Sequence, residues 1–432
     1  LSSEWIGILG ILLLFVFLAL KMYIGIAMAL VGFLGLCVIQ DTRSALYILS
    51  ITPLAESKSY TLSVIPLFIL MGQFAFVSGV SEDIYKALHA WLGRCRGGLA
   101  MATIMACGGF AAVCGSSLAT GATMGMVAIP EMNKYRYDQR LSTGCVAAGG
   151  TLGILIPPSI GFVLYGILVE ASIGKLFMAG LLPGLLLSAL FVLTIYIQCR
   201  IQPALGPCGP RTSWTMKWRS LKGAWGMLLL FLLVMGGIYY GIFTPTEAAG
   251  MGAFGSFLLA LSRNKVTQDT FMWSLQETGT TTAMIFLIII GANIFSAFLG
   301  LTGLPMRLAD TLAALPLPRY AILAVMLAIF LALGCVMDCY AIMILVLPIL
   351  FPVVQSLQFD PIWFGVIMVI VLEAGLITPP IGLNVFVLKA AAPNVPLSTV
   401  FRGIGPFLIA ILLVILLLTI FPQIALFIPT HM

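Results

Sequence analysis

Hydroxyl and carboxylate side chains stand inside strongly apolar sequence at few places in this chain, and those places come in pairs. Ser116 and Ser117, followed by Thr120 and Thr123, lie in Cys114-Gly-Ser-Ser-Leu-Ala-Thr-Gly-Ala-Thr123, and Asp338 lies in Ala332-Leu-Gly-Cys-Val-Met-Asp-Cys-Tyr340. Pro-Pro pairs interrupt two hydrophobic runs, Gly149-Gly-Thr-Leu-Gly-Ile-Leu-Ile-Pro-Pro-Ser159 and Leu372-Glu-Ala-Gly-Leu-Ile-Thr-Pro-Pro-Ile-Gly382. Hydroxyls and carboxylates are hard oxygen ligands of the kind a small cation takes. A Pro-Pro pair removes two backbone donors and clashes with the preceding turn, so each break frees carbonyls before it and opens a helix N-terminus after it to an anionic substrate. At membrane depth such carbonyls are tolerated only where they are buried in protein or line a cavity.

A blander reading exists for each feature. The breaks could be kinks that shape packing, and Ser and Thr in membrane helices are often packing or interhelical hydrogen-bonding residues. Asp338 is either a functional carboxylate, the default for an ionisable residue in apolar sequence, or a hairpin tip with water access. Duplication favours the site. Gly153, Pro157 and Pro158 recur as Gly375, Pro379 and Pro380, 222 residues later, and paired interruptions in two halves point to a transporter binding site.

The expected site therefore comprises Ser116, Ser117, Gly153, Pro157, Pro158, Ser159, Asp338, Gly375, Thr378, Pro379, Pro380, Gly382 and Asn384, with cation ligands among Ser116, Ser117, Gly153, Asp338, Gly375 and Thr378. Glu373, just before the second break, stays open between site and structure. Glu247 in Thr244-Pro-Thr-Glu-Ala-Ala249 reads as the first turn of a capped helix. Lys389 reads as a snorkelling interface residue.

The surroundings that must position these residues are apolar throughout. Of 432 residues, 61% are hydrophobic and 8% charged, against about 25% charged in a soluble domain. The apolar runs are continuous and do not alternate, which predicts an all-α integral membrane protein. They suffice for about a dozen crossings or hairpin arms at roughly 20 residues each. The net charge of +6 sits in loops and speaks to orientation, not to nucleic acid. Nine Cys without a C-x-x-C pair and two His leave little for disulfides, metal centres or proton relays. No Gly-x-Ser-x-Gly, His-Glu-x-x-His or Gly-x-x-x-x-Gly-Lys-Ser/Thr is present, so an enzyme is not expected, and any driving force should come from an ion gradient. The opening Leu1-Ser-Ser-Glu4 runs straight into apolar sequence without a basic stretch, which does not read as a cleavable signal, and the missing Met suggests absent residues or a fused upstream segment.

The duplication extends beyond the breaks. Trp225 answers Trp5, Gly291 answers Gly72, Asp338 answers Ser116, Pro348 answers Pro130 and Pro406 answers Pro183, at offsets of about 218 to 223. The expected division is a first repeat over 1–199, a cytoplasmic linker over 200–222 with five basic residues and no acid, and a second repeat over 223–432. Loop 131–140 holds Lys134, Arg136 and Arg140, whereas its counterpart 350–361 holds no base and contains Asp360. This asymmetry predicts that the repeats are inverted, with both termini outside.

Four stretches in this order, Gly115 to Glu131, Gly153 to Ser159, Thr244 to Ala249 and Thr378 to Gly382, make the chain closely resemble the large membrane subunit of tripartite ATP-independent periplasmic (TRAP) transporters over essentially its whole length. The resemblance implies a sodium-coupled secondary importer in a bacterial inner membrane, with no cofactor beyond Na+ as coupling ion. It also implies a small membrane (Q) subunit, a periplasmic substrate-binding protein, and an organic acid substrate such as a dicarboxylate, keto acid or sialic acid. The implied fold is an inverted-repeat elevator with two helical hairpins and two interrupted helices. In it, Ser116 and Ser117 would form the first hairpin tip, Asp338 the second, and Gly153–Ser159 and Gly375–Gly382 the two interruptions. One departure is visible: the second tip, Gly334-Cys-Val-Met-Asp-Cys339, lacks a Ser-Ser pair, so two symmetrical sodium sites are not expected. The rival reading is a proton-coupled elevator with Asp338 as carrier; an intramembrane enzyme is the more distant one.

Overall fold

A computed structural model describes residues 2–209, 212–314 and 316–432. The described residues form helices and turns, with no strand. The first half contains α1 (Ser3–Ala19), α2 (Ile24–Ile39), α3 (Thr42–Ser57), α4 (Val64–Val77), α5 (Val80–Leu92), α6 (Gly98–Cys114), α7 (Ser117–Lys134), α8 (Gln139–Gly150), α9 (Leu152–Leu155), α10 (Ile160–Leu168) and α11 (Ile173–Ile201). The second contains α12 (Trp214–Tyr239), α13 (Pro245–Ser262), α14 (Gln268–Thr302), α15 (Leu304–Ala313), α16 (Arg319–Gly334), α17 (Cys339–Ser356), α18 (Pro361–Ile377), α19 (Leu383–Ala391) and α20 (Leu397–Ile420). Among the described residues, five uninterrupted helices are long and apolar enough to cross a bilayer, or up to seven if each of two bent pairs is one span.

The halves correspond helix for helix, except that α3–α4 and α8–α9 in the first answer the single helices α14 and α18 in the second. The α3–α4 pair bends by 57°, whereas its counterpart α14 runs unbroken for 35 residues. The polar Ser57-Lys-Ser-Tyr60 turn and Pro66 interrupt the first copy, while α14 has no proline.

The relative direction of the copies is fixed by contacts between counterparts. Phe74 and Phe76 at the end of α4 meet Phe271 and Trp273 at the start of α14. Glu56, shortly before α4, accepts a hydrogen bond from Asn293, far along α14, at 2.8 Å. The two equivalent helices therefore run antiparallel, as inverted copies must. The halves also exchange partners: α2 lies along α14 and α13 lies along α4.

Small residues make the first of those crossings possible. A Cβ on Gly25 would sit 2.6 Å from the Leu287 carbonyl oxygen and one on Gly32 would sit 2.8 Å from the Ile294 carbonyl carbon, while one on Gly291 would overlap the Gly25 carbonyl oxygen. Gly291→Ala is accordingly expected to lower stability by about 1–3 kcal/mol, the cost of overpacking. Thermal unfolding of the purified protein in detergent checks it; an unchanged midpoint would contradict this account of the crossing.

Local rules set the ends. Thr244 and Glu247 form a capping box at the start of α13, with Thr244 N donating to Glu247 Oε2 at 2.8 Å, so Glu247 is structural, as its sequence context predicts. Arg263 donates to Asp83 Oδ2 at 2.6 Å and to the carbonyls of Ser78 and Gly223, pinning the amphipathic α5 to α12 and α13. Lys389 Nζ donates to the carbonyls of Pro393 and Val395 at 2.6 and 2.7 Å, closing the chain after α19.

Less of the 200–222 linker is irregular than its composition suggests. The α11 helix continues to Ile201 and α12 starts at Trp214 behind the Ser213 cap, so Lys217, Arg219 and Lys222 are helical. Lys217 lies over the rings of Trp91 and Trp214 at 5.5 and 4.9 Å. Pro210 and Arg211 of this linker lie outside the described residues.

Candidate functional site

Two hairpins and two broken helices converge, each hairpin tip seated on one break. In the first hairpin, α6 ends at Cys114 and the chain turns through Gly115 at φ 65°, a left-handed conformation that glycine adopts without penalty. Ser116 then caps α7 by accepting from Ala119 N at 3.4 Å. In the second, α16 ends at Gly334 and Asp338 caps α17 by accepting from Tyr340 N at 3.0 Å. The equivalent positions thus do the same local work, which Ser and Asp do equally well. Only one of them adds a charge.

The first break runs from Ile156 to Ser159 between α9 and α10, and Ser159 caps α10 by accepting from Phe162 N at 3.3 Å. The second runs from Thr378 to Gly382 between α18 and α19; Thr378 donates its hydroxyl back to the Ala374 carbonyl at 2.6 Å, and Gly382 has φ 64°. Both Pro-Pro bonds, Pro157–Pro158 and Pro379–Pro380, are cis.

Backbone bonds join tip to break in the same way twice. Ile160 N donates to the Gly115 carbonyl at 3.5 Å, and Ile381 N and Gly382 N donate to the Cys335 carbonyl at 3.2 and 3.3 Å. The first amide of α10 and the last two amides of the second break are therefore taken by protein carbonyls, so the expectation that post-break amides face an anion does not apply to Ile160, Ile381 and Gly382. The breaks hold the tips.

Glycine makes that seating possible. A Cβ on Gly153 would lie 2.5 Å from the Ser116 carbonyl oxygen and 2.7 Å from Ser117 Cα; one on Gly375 would lie 2.6 Å from Gly334 Cα. Gly153 and Gly375 thus act through close backbone approach.

The polar side chains of the tips divide into two groups. Ser116 and Asp338 line a common cavity of about 390 Å³, whose opposite wall carries Gln73, Glu277 and Thr281 from α4 and α14. Ser117 turns inward, and its Oγ donates to Oε1 of Glu373 on α18 at 2.7 Å. Adjacent residues at a helix start point to different sides, which separates this Ser-Ser pair into one cavity residue and one interior residue. Asn384 is buried in the first turn of α19 with neither amide atom partnered. Pro157, Pro158 and Ser159 are buried, whereas Pro379 and Pro380 are exposed, so the two breaks match in backbone but not in surroundings.

The structure adds Glu373, Gln73, Glu277 and Thr281 to the expected set. Glu373 and Gln73 had a signal in sequence, as polar residues inside apolar runs. Glu277 and Thr281 sit in the polar first half of α14, Gln268 to Thr282, where nothing distinguishes them from their neighbours. Among the described residues no three His, Cys, Asp or Glu gather, and the donors that do gather are oxygens, suited to hard cations.

Known proteins agree with this architecture. Residues 11–424 match the family described as tripartite ATP-independent periplasmic transporter, DctM component. The C4-dicarboxylate TRAP transporter large permease protein DctM of Pseudomonas aeruginosa is 40% identical over 388 residues, covering 88% of this chain and 89% of that protein. The isethionate TRAP transporter permease protein DctMQ of Oleidesulfovibrio alaskensis is 34% identical over 418 residues, covering 96% of this chain and 65% of that longer protein. Among solved structures, the Alcanivorax borkumensis YdaH transporter superposes with a TM-score of 0.61 at 16% identity, covering 90% of this chain and 88% of that one, a likeness of fold. Spanning helices, paired tips seated on paired breaks and full-length similarity to transport permeases converge: the chain belongs to the DctM family of tripartite ATP-independent periplasmic transporters, as a multi-pass membrane large permease subunit.

Proposed function

We propose that this chain carries out sodium-coupled import of a small organic acid across a bacterial inner membrane. A small membrane subunit assists it, and a periplasmic binding protein delivers the substrate. The observation that carries the reading is the cavity shared by Ser116 and Asp338, where the two tips meet two further oxygen-bearing walls. Its acids are Asp338 and Glu277, with no Lys or Arg among the described lining residues. An organic anion entering such a cavity meets like charge and gains from cations bound beside it; this is the physical root of symport. Ser116, Asp338 and the carbonyls near Gly153, Gly375 and Thr378 are the oxygens that would hold sodium. The substrate carboxylate would then lie between the tips.

In the elevator reading, the tips and breaks travel as one body against a frame of α2, α4, α13 and α14. The exchange of helices between halves favours that division, because α2 with α14, α14 with α4 and α4 with α13 pack as one connected layer. The substrate class follows the relatives' C4-dicarboxylate and isethionate names, both small organic acids.

In proteoliposomes holding this chain with its partners, replacing external sodium by choline at constant membrane potential is expected to cut uptake at least about tenfold. Uptake that persists without sodium and follows the pH gradient would overturn the sodium reading in favour of proton coupling.

A further inference from the structure

The cavity shared by the two tips carries an acid on each of two facing walls. Asp338 stands at the second tip, and Glu277 stands on α14 opposite. Glu277 belongs to a stripe of Trp273, Glu277, Thr281 and Met284, spaced four, four and three residues apart, so one face of α14 meets the cavity. Gln73 joins this wall from α4. Among the described residues neither Asp338 nor Glu277 takes part in an ion pair. Bases line the adjoining cavity of about 990 Å³, which shares Phe76, Thr123, Met126 and Trp273 with this one. There Lys86 is paired with Glu82 and Arg263 with Asp83, and Lys265 is exposed.

The two walls differ in what can answer their charge. In the sodium reading the cation sits beside Ser116 and Asp338 and draws the substrate's acid group to the tips. Glu277 lies on a frame helix, which the elevator reading separates from the moving tips, so whatever fills the rest of the cavity must suit it. The Gln73 amide and the Thr281 hydroxyl can donate or accept, whereas a carboxylate only accepts. Glu277 therefore decides the chemistry of the substrate's far end. A hydroxyl or ammonium there makes a charge-assisted hydrogen bond to it; a second carboxylate there meets its own sign of charge.

We propose that Glu277 is a substrate-selecting residue. The cavity takes an organic acid with one anionic group and, at its other end, a hydrogen-bond donor, hydroxyl or ammonium, that Glu277 accepts. The acid group faces the tips and the donor faces α14. A dicarboxylate of the same length is disfavoured, because both of its ends are anions. The inference rests on the sodium-coupled organic-acid reading above and narrows its substrate class.

The test uses the purified full chain in detergent at saturating sodium chloride, with butyrate, 4-hydroxybutyrate, 4-aminobutyrate and succinate as probes. These share one carboxylate and one chain length and differ only in the group at the fourth carbon. The readout is the probe concentration that gives half-maximal thermal stabilisation. The hydroxyl and ammonium probes are expected to act at concentrations at least about tenfold lower than succinate. Glu277 is exposed and outside the ion pairs, so Glu277→Gln is expected to fold as wild type does and to bring the three polar probes within about threefold of one another. Succinate as effective as the hydroxyl and ammonium probes on wild type would overturn the inference. So would a Glu277→Gln protein that keeps the wild-type order of probes, including one whose sodium midpoint moves instead, which assigns Glu277 to the ion. If no probe stabilises wild type more in sodium chloride than in choline chloride at constant ionic strength, the sodium-coupled site falls and the inference with it.

Discussion

Gly153→Ala is expected to reduce uptake by at least about 100-fold, the size of loss that a displacement of about 1 Å causes at a positioned site. The added methyl would meet backbone: the Ser116 carbonyl oxygen at 2.5 Å and Ser117 Cα at 2.7 Å. Backbone has no alternative rotamer, so the first hairpin tip must lift off α9, taking with it Ser116 in the cavity and Ser117 on Glu373. Gly236→Ala in α12 is the control, because a Cβ there meets nothing within 4 Å and replaces glycine in a helix with a better helix former. Uptake by Gly153→Ala at the level of the Gly236→Ala control would show that the tip is not held by this contact. The matching substitution, Gly375→Ala, should move the second tip through Gly334 in the same way.

Asp338→Ser is expected to reduce sodium affinity in transport about 100-fold, corresponding to about 3 kcal/mol for loss of a charged ligand. Serine is the residue that the first repeat places at this position, and there it caps α7. The substitution therefore keeps a cap for α17 while deleting the negative charge, and stability should change by less than about 1 kcal/mol. The half-saturation for sodium, measured at saturating substrate, separates the two roles of Asp338. A shifted midpoint with normal unfolding marks an ion ligand; unchanged sodium dependence reduces Asp338 to a helix cap. Asp338→Ala, which loses cap and charge together, should show both effects.

Much of the architecture was legible before any coordinates. Hydrophobic runs gave helices because an apolar stretch in lipid must satisfy its backbone internally. The Pro-Pro pairs gave the two breaks at their positions, since proline cannot continue the hydrogen-bond ladder. The offset of about 220 residues between Trp5 and Trp225 gave the duplication. The four motif stretches gave the family. The helical start of α12 inside the basic stretch 200–222 was not legible, because that part combines basic residues with Trp214, Trp218 and Leu221, and the apolar component carries a helix.

The site was legible as a list and not as an arrangement. Ser116 and Ser117 are identical in type and adjacent in sequence, yet one faces the cavity and the other a buried carboxylate. Helix pitch at a capped start decides that, and it depends on which element packs on each side. Glu373 was ambiguous in sequence, because an acid before a break suits an interface as well as a core. Its burial and its bond to Ser117 come from α18 packing against the opposite repeat, a contact between residues 256 positions apart. The amides after the breaks read as open to a ligand because a broken helix leaves them unpaired, and only the seating of the tips revealed that the Gly115 carbonyl takes that of Ile160 and the Cys335 carbonyl those of Ile381 and Gly382.

By itself, then, the sequence determined the membrane class, the two inverted halves, the positions of tips and breaks and the family, because each follows from local chemistry or from comparison along the chain. The tertiary structure alone decided which tip rests on which break, which hydroxyls share a cavity, and that Glu373, the one buried Asp or Glu among the described residues, lies behind the first tip. The seating depends on a glycine's missing Cβ where segments about forty residues apart meet, and the shared cavity and the Ser117–Glu373 bond depend on approach between segments more than two hundred residues apart, with the direction of one helix start determining what touches what.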